Sequence, residues 1–387
     1  QKLGCSSRFR YLIYSMIQRV SDCFHRLAEW LVLSASFLVQ KLLYQSQLPK
    51  KFAPKKILVI KLDHFGDLLI STAVFNNLHV NFPTATIDVL IGHWGKTVLE
   101  NHPYIHQLFF YNSPFFSRHA KASSFWSAIR IMFRLWRKYD LVVDLRGDSL
   151  TVVMALLKST PYRIDRACYQ IEQKMNGTSS DDRHEIDRNL DLLKKQKLQI
   201  PSRIPSFYPS LVDQDWADIY CANLPSNRPL VVIHPGSPVE LKRWPEKSFA
   251  ELSEWLIEFY QATVVLIGDI SEKKLVESIQ NFTSKKTISL AGQTNFGQLG
   301  ALLKNTKLFI GNDSAPMHLA AMMGTSVVAL YGPSDPKRFG PLGIDSYIIR
   351  TKSDCPPCMS TYCKLDGLGC MRNISLADVQ KAVALLL

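Results

Sequence analysis

Short apolar runs, each followed by a polar turn and a helical pattern, constrain the fold of this chain more than any other feature. They lie at residues 57–60, 87–91, 141–144, 230–233, 264–267, 308–310 and 327–330. Buried strands that alternate with helices form parallel sheets, because a right-handed helical crossover joins neighbouring parallel strands. The sequence therefore predicts an α/β protein with doubly wound sheets.

The alternation occurs in two sets, separated by a polar stretch with several prolines over residues 199–227. A chain of 387 residues is long enough for two ordinary domains and an extension. We therefore predict a helical extension of residues 1–50, two domains over 51–210 and 211–350, and a closing segment over 351–387. We expect the last helix to pack back across the cleft between the domains.

The first fifty residues combine apolar segments at 11–20 and 27–43 with interspersed charges. Their uncharged runs are shorter than the ~20 apolar residues that cross a bilayer, and no small-residue cleavage motif follows a clean apolar core. Two amphipathic helices on a membrane surface or on a partner subunit fit this pattern. A helical hairpin packed on the protein's own surface fits it equally well.

Composition limits the class of partner. With 47% apolar and 20% charged residues the chain is globular, and its net charge of +13 favours an anionic partner. A nucleic acid, a phosphorylated glycolipid and a membrane surface all satisfy that charge. A non-enzymatic nucleic-acid-binding protein is the remote alternative, because the sequence contains no recognised nucleic-acid module.

The segment 308–332 joins a strand, a polar turn, a small-residue helix and a second strand. The first-turn amides of a helix and its dipole attract anions, so the turn at Asp313 and Ser314 is a candidate anion site. The alternative is an ordinary N-cap, in which one of these side chains satisfies the amides.

A second candidate anion site follows the strand 230–233. Ser237 and its neighbouring amides offer donors, and Lys242 and Arg243 supply charge suited to a diphosphate. In an open α/β sheet this loop and the turn at 311–314 lie at the same carboxyl edge, where ligands bind. A solvated basic loop is the alternative.

Two acidic residues follow other strands. Asp67 comes directly after Gly66 at a strand-to-helix turn, where a carboxylate can act as a general base or simply cap its helix. Glu272 opens the helix after the strand 264–267. An acid there can accept hydrogen bonds from ribose hydroxyls or merely favour the start of the helix.

Basic residues recur at helical spacing between positions 115 and 138. Arg130 and Arg134 share one broad face and could bind the phosphates and acidic sugars of an acceptor, although a solvated surface helix has the same pattern. Arg146 and Arg163 are further candidates for contact with acceptor carboxylates or phosphates.

Four cysteines cluster near the C-terminus with the spacing C-x2-C-x4-C-x6-C: Cys355, Cys358, Cys363 and Cys370. Four thiolates this close can hold zinc or iron tetrahedrally. In a cytosolic protein, a metal or free thiols are favoured over disulfides. We predict a structural zinc or iron here, with no part in catalysis.

From about residue 55 to the end, the chain resembles the heptosyltransferase family of bacterial lipopolysaccharide-core glycosyltransferases. The ordered matches are KILVIKLDHFGDLLISTAVFNNL, YDLVVDLRGDS, RHEIDRNLDLL, VVIHPGSPVELKRWP, LAGQTNFGQLGALL and GNDSAPMHLAAMMGTSVVALYGPSDP. The resemblance implies two Rossmann-like domains that face each other across a cleft, the GT-B arrangement. The first would bind the acceptor and the second the nucleotide sugar. Residues 1–50 lie outside it.

The resemblance also implies roles for individual residues, with Asp67 as the catalytic base. Together with the loop chemistry, it assigns the nucleotide-sugar site to residues from three loops: Ser237, Lys242, Glu272, Asp313, Ser314, Ala315 and His318. The family usually places Gly where this chain has Ala315. Alanine keeps the backbone N–H but limits a closer approach to the ligand.

The activity implied is transfer of heptose from ADP-heptose to a lipopolysaccharide core acceptor, with inversion and without a required cofactor. No Asp-x-Asp motif follows a predicted strand to hold a metal, so Lys242 and helix amides would stabilise the leaving diphosphate. Another nucleotide sugar, or a protein acceptor, is the alternative within the same fold. We expect a cytoplasmic enzyme at the inner face of the inner membrane, with peripheral contact through residues 1–50.

Overall fold

The structure, a computed structural model, describes residues 47–112, 125–136, 138–156, 160, 162–176, 183–343, 345–351, 355–360, 363 and 369–387, together with residue 34. The amphipathic helices and membrane contact predicted for residues 1–50 fall almost wholly outside these ranges. Within the ranges described, no helix combines the length and the apolar character needed to cross a membrane.

Among the residues that the structure describes, five parallel strands form the first sheet, in the order β3-β2-β1-β4-β5. The strands are β1 (Lys56–Lys61), β2 (Thr86–Ile91), β3 (Ile105–Phe110), β4 (Leu141–Asp144) and β5 (Tyr162–Asp165). The helices are α1 (Phe65–Asn81), α2 (Lys96–Leu99), α3 (Phe125–Leu135), α4 (Ser149–Leu156), α5 (Arg166–Met175) and α6 (Glu185–Lys195). The strand order reverses between β1 and β4, which opens a crevice at their carboxyl ends.

In the described part of the second half, six parallel strands form a sheet in the order β11-β10-β9-β6-β7-β8. They are β6 (Leu230–His234), β7 (Thr263–Leu266), β8 (Ile288–Ser289), β9 (Leu308–Asn312), β10 (Ser326–Tyr331) and β11 (Ser346–Arg350). The helices are α7 (Leu211–Ala222), α8 (Glu246–Tyr260), α9 (Lys273–Phe282), α10 (Phe296–Lys304), α11 (Ala315–Met322), α12 (Pro336–Phe339), α13 (Gly369–Arg372) and α14 (Leu376–Leu386). Here the order reverses between β6 and β9.

The predicted α/β fold with two doubly wound sheets is confirmed. Its central strands are continuous apolar runs because helices cover both faces: Ile57 and Val59 pack beneath α1, and Leu58 and Ile60 pack on the opposite face. Sequence reasoning missed β3, β5, β8 and β11, which stand toward the sheet edges. The exact domain boundaries stay a prediction.

The N-terminal end of α1 contacts the second half of the chain. The ring of Phe65 lies 5.3 Å from that of Phe296 in α10. A Cβ built on Gly66 would lie 3.5 Å from Cδ2 of His318 in α11. The carboxyl end of β1 and the amino end of α11 are therefore neighbours.

The last helix packs differently from the expectation. Three residues of α14 (Val379, Ala382 and Val383) are buried in the apolar cluster of the second half, beside Leu330 of β10. The helix therefore covers its own sheet instead of packing across the cleft. Its apolar stripe has the spacing of a helix that covers a sheet face.

Gly147, in the loop after β4, has a φ of +74°, and a Cβ there would lie 2.7 Å from the Ala167 backbone nitrogen. We predict that Gly147→Ala lowers the free energy of unfolding by about 2 kcal/mol or more, from left-handed strain plus overpacking. Gly324→Ala is the matched control, because Gly324 has a φ of +83° with no atom within 4 Å of the added Cβ. It should cost only the strain, about 1 kcal/mol. Equal losses in denaturant titrations would refute the predicted contact with Ala167.

Candidate functional site

Charged side chains tie together the loops that follow β1 and β4. Lys61, the last residue of β1, places its Nζ 2.7 Å from a carboxylate oxygen of Asp63. Asp63 also pairs with Arg146, whose Nε lies 2.7 Å from Asp148. The pair of Asp63 with Arg146 crosses the crevice where the first sheet reverses its strand order, and the other two pairs hold Asp63 and Arg146 in their own loops.

Asp67 lies in the first turn of α1, at the mouth of this crevice. Enclosure by protein atoms raises the pKa of Asp67 above its usual 3.8, and the nearby Glu185 carboxylate adds to the rise. Lys61 provides the largest opposing effect, while its own pKa is lowered to about 8 by burial and by nearby Arg166. A carboxylate with a raised pKa is a stronger proton acceptor, as a general base requires.

Glu185, at the start of α6, links the first half to the second. It is buried and pairs with Arg166, and its Oε2 lies 3.3 Å from Nε of Arg338 in α12. Burial raises the pKa of Glu185, but Arg166 and the other nearby cations outweigh it and hold the pKa below its usual 4.5. Beside this ion pair, Nε2 of His184 lies 2.9 Å from the Gly340 carbonyl oxygen. Two polar contacts therefore hold α6 against α12.

In the second half, Asn312 fixes the loop that follows β6. This residue ends β9, and its fully buried amide donates to the Pro235 carbonyl oxygen at 2.7 Å. Its side-chain oxygen accepts a hydrogen bond from the Trp244 backbone N–H at 3.1 Å. The loops at the second strand-order reversal are thus joined through one side chain.

Lys242 lies beside the N-terminus of α11. Its Nζ is 2.7 Å from a carboxylate oxygen of Asp313, directly before the N-cap Ser314. Ala315 begins the helix, and Pro316 follows it without an N–H to donate. An ammonium and a helix N-terminus side by side form a site for an anion such as a phosphate.

His234 joins this site to the loop after β7. Its Nδ1 lies 3.0 Å from the Ser314 hydroxyl, and its Nε2 lies 3.1 Å from Oε2 of Glu272. Burial raises the pKa of Glu272, but the hydrogen bond and charge of His234 outweigh it, so the pKa lies below its usual 4.5. A Cβ on Gly236 would overlap Oε1 of Glu272, so any larger residue there would displace this carboxylate.

His318 closes the contact between the two halves. Burial lowers the pKa of His318 to about 4, although Asp313 acts in the opposite direction. The ring is therefore neutral near pH 7, and it lies against Gly66. A candidate base and a candidate anion site consequently stand at two helix N-termini that face each other.

A family model for glycosyltransferase family 9, described as heptosyltransferase, matches residues 129–368, which is more than half of the chain. The chain belongs to this family. Membership makes it a glycosyltransferase and confirms the family resemblance inferred from the motifs.

Two relatives and one solved structure illustrate the similarity. Lipopolysaccharide heptosyltransferase 2 of Escherichia coli strain K12 is 27% identical, over 76% of this chain and 88% of the relative. Lipopolysaccharide heptosyltransferase 3 of the same strain is 28% identical, over 70% and 81%. The structure of E. coli ADP-heptose lps heptosyltransferase II has a TM-score of 0.67 at 24% identity, covering 86% of this chain and 98% of that chain. At that identity the superposition shows a shared fold alone.

Within this heptosyltransferase, the structure brings the predicted donor-site residues together at the carboxyl edge of the second sheet. These are Ser237, Lys242, Glu272, Asp313, Ser314, Ala315 and His318. Ser237 is buried, and its hydroxyl accepts from the Val239 N–H at 3.3 Å, so its side chain stabilises the loop itself. Ligand roles for the set remain predictions.

The predicted acceptor-binding arginines separate into three places. Arg146 lies in the crevice beside Asp63. Arg130 and Arg134 belong to α3, which packs on the opposite face of the sheet from α1, and Arg134 stacks 5.2 Å above the ring of Phe109. The side chain of Arg163 is only 1% exposed and pairs with Asp165 inside β5. The prediction that Arg163 contacts an acceptor is therefore wrong, because an acceptor cannot reach a buried and paired side chain.

The four clustered cysteines do not form the predicted metal site. Across the residues that the structure describes, no three His, Cys, Asp or Glu side chains are grouped to hold a metal ion. Cys358 and Cys363 are exposed, and burial raises the pKa of Cys370. The arrangement of the described cysteines therefore does not support the structural zinc or iron that their spacing predicted.

Sequence reasoning left four structural residues of the site without a role: Lys61, Glu185, His234 and Asn312. The sequence indicates two of them, because the polar residues Lys61 and Asn312 each end an apolar strand. Their contacts join segments far apart in the chain, which a local pattern does not reveal.

We predict that Asn312→Ala lowers the free energy of unfolding by about 2 kcal/mol or more, because buried backbone groups of Pro235 and Trp244 lose their partner. Asn305→Ala is the control, since its amide bonds only to exposed Asp218 and its own helix. That change should cost about 0.5 kcal/mol or less. If denaturant titrations give both variants the same stability, Asn312 does not organise the loops.

Proposed function

We propose that this chain transfers heptose from ADP-heptose to a sugar hydroxyl of a lipopolysaccharide core, with inversion at the anomeric carbon. The observation that carries this proposal is that Asp67, next to Gly66 in α1, and the anion site of Lys242 and Ser314, at the start of α11, lie on the two sides of the contact between these helices. The names of the two relatives support the substrate class, and the name of the solved structure supports the donor.

The donor diphosphate would lie against the amides that open α11. Lys242 would contact a phosphate oxygen, with Asp313 holding the ammonium in place. As the bond between the anomeric carbon and the diphosphate breaks, negative charge grows on the leaving oxygen, and these fixed groups stabilise it. Glu272, oriented by His234, would accept a hydrogen bond from a ribose hydroxyl of the nucleotide.

Asp67 would act on the acceptor. Its carboxylate takes the proton of the attacking hydroxyl while that oxygen bonds to the anomeric carbon, and the diphosphate leaves from the opposite face with the bonding electrons. Attack and departure on opposite faces invert the configuration. Arg146, in the same crevice, is placed to contact an anionic group of the acceptor.

None of these reaction steps requires a metal, because Lys242 and the helix amides would stabilise the negative charge of the leaving diphosphate. Transfer should therefore continue in excess chelator, and its loss there would refute metal independence. With a lipid-anchored core as acceptor, the reaction would take place at the cytoplasmic face of a membrane.

The test of the proposal is a screen of donors and acceptors with the purified full chain. ADP-heptose is compared with UDP- and GDP-sugars, and deacylated lipopolysaccharide core with a protein acceptor. Transfer only to protein, or only from another nucleotide sugar, would replace the proposal with the corresponding alternative in the same fold. The anomeric configuration of the product, read by NMR, decides whether the reaction inverts.

We predict that Asp67→Asn reduces kcat by at least about 100-fold, because the amide cannot accept the hydroxyl proton. Donor affinity, measured by calorimetry with ADP, should change less than about threefold. The raised pKa of Asp67 means that its ionised form is less favourable in the folded than in the unfolded chain. The variant should therefore unfold at the same or a higher temperature than the wild type.

The pH profile supplies the control for this assignment. Only ionised Asp67 is active, so wild-type kcat/KM should fall as the pH falls through a pKa above 3.8. Any residual activity of Asp67→Asn should lack this acidic limb. Near-wild-type transfer by the variant, or an unchanged limb, would exclude Asp67 as the base.

Lys242→Met should weaken ADP binding by roughly 10- to 100-fold, the effect of losing one charge-assisted contact to phosphate. The double variant Lys242→Met with Asp313→Asn should recover part of this loss, because it removes the carboxylate left unpaired beside the diphosphate. Lys247→Met is the control, since Lys247 is exposed and stacks on Phe282, away from Asp313. Equal effects at positions 242 and 247 would reject the phosphate assignment.

A further inference from the structure

The solvent side of α3 carries large aromatic side chains beside cations. Phe133 is 72% exposed and Trp126 is 69% exposed, and Trp136, directly after the helix, is 38% exposed. Arg130 and Arg134 are exposed on the same helix. Exposed aromatic rings on a water-soluble surface are costly when they cluster, and such patches mark interaction sites.

Helical geometry places these groups on one surface. At 100° per residue, Arg130 and Phe133 lie within one arc, with Trp136 and Arg134 at its two edges. The opposite arc holds Leu135, Ile131 and Met132, which pack on the apolar cluster beneath the first sheet. The core side of α3 is therefore filled, and the aromatic rings on its other side have no part in it.

The chemistry of this surface selects an anionic lipid bilayer as its partner. Amphipathic helices that lie on membranes combine aromatic rings, which enter the boundary of the acyl chains, with arginines that meet the phosphates. The helix α7 offers a contrast, because its exposed Leu211 and Val212 stand among the acidic residues Asp213, Asp215 and Asp218. Carboxylates there would be repelled by the same bilayer.

We propose that the exposed face of α3, formed by Phe133, Trp136, Arg130 and Arg134, docks on an anionic lipid bilayer. Arg130 and Arg134, which the sequence assigned to acceptor phosphates, would contact lipid phosphates instead. Their position fits this role, because α3 lies on the opposite face of the sheet from α1 and Asp67. Docking of this face requires neither the donor nor the sugar acceptor. The face belongs to α3, and is therefore separate from the membrane contact expected for residues 1–50.

The experiment measures partition of the purified full chain onto vesicles by co-sedimentation. Vesicles of phosphatidylglycerol with phosphatidylethanolamine are compared with vesicles of phosphatidylcholine alone. Phe133→Ser should lower partition onto the anionic vesicles by at least about tenfold, the effect of keeping one large aromatic side chain in water. Arg130→Gln should lower it about fivefold and reduce its dependence on salt.

The matched controls are Val212→Ser, which removes an exposed apolar side chain among carboxylates, and Lys247→Gln, which removes an exposed cation elsewhere. Both should change partition less than about twofold. Circular dichroism and thermal unfolding confirm that every variant is folded.

Equal partition of wild type, Phe133→Ser and Arg130→Gln would overturn the proposal and move any bilayer contact to another part of the chain. Binding to neutral vesicles as tight as to anionic ones, or no vesicle binding, would also overturn it. A large loss of transfer by Arg130→Gln to a deacylated, water-soluble acceptor would assign that arginine to the acceptor instead. Vesicle binding involves no donor or acceptor sugar, so these results are independent of the proposed reaction.

Discussion

Burial of ionisable groups at the carboxyl end of β1 is the constraint on which the site depends. A charge in this setting persists only when an opposite charge or hydrogen bonds offset its desolvation. Lys61, Asp63 and Arg146 meet that condition by joining two loops, and Glu185 meets it by joining the two halves of the chain. These ion pairs offset the desolvation of the buried charges, and they also hold the loops and helices around Asp67 in place. The same contacts therefore contribute to stability and to the position of the candidate base.

The two halves use the same topology for opposite electrostatic tasks. At the reversal of the first sheet, the chain places a carboxylate in the first turn of α1, where enclosure raises the pKa of Asp67. At the reversal of the second sheet, it places the ammonium of Lys242 beside the first turn of α11, where the helix amides also favour an anion. One crevice is suited to accepting a proton and the other to accepting negative charge. A displacement reaction needs both at once.

Much of the fold could be read from the sequence, because a strand covered on both faces must be apolar along its whole length. The short edge strands could not, since β5 carries Arg163 and β8 has only two residues. Loop residues such as Asp67 and Lys242 follow central strands, so the sequence could predict that they lie at the carboxyl edges of the sheets. Arg163 was misjudged because its charge is neutralised by Asp165, two residues along the same strand. Glu185 and Asn312 act through contacts that exist only after the chain has folded.

The absence of a side chain at Gly66 controls a distance between the two halves of the site. Its missing side chain sets the separation between the end of α1 and the ring of His318, where one methyl group would just fit. A larger residue would act as a spacer and hold Asp67 farther from the candidate anion site on the other half. Because a displacement near 1 Å can cost about 100-fold in rate, this position would set the reach of the proposed base. Selection on catalytic speed can therefore act on a residue that supplies no functional group.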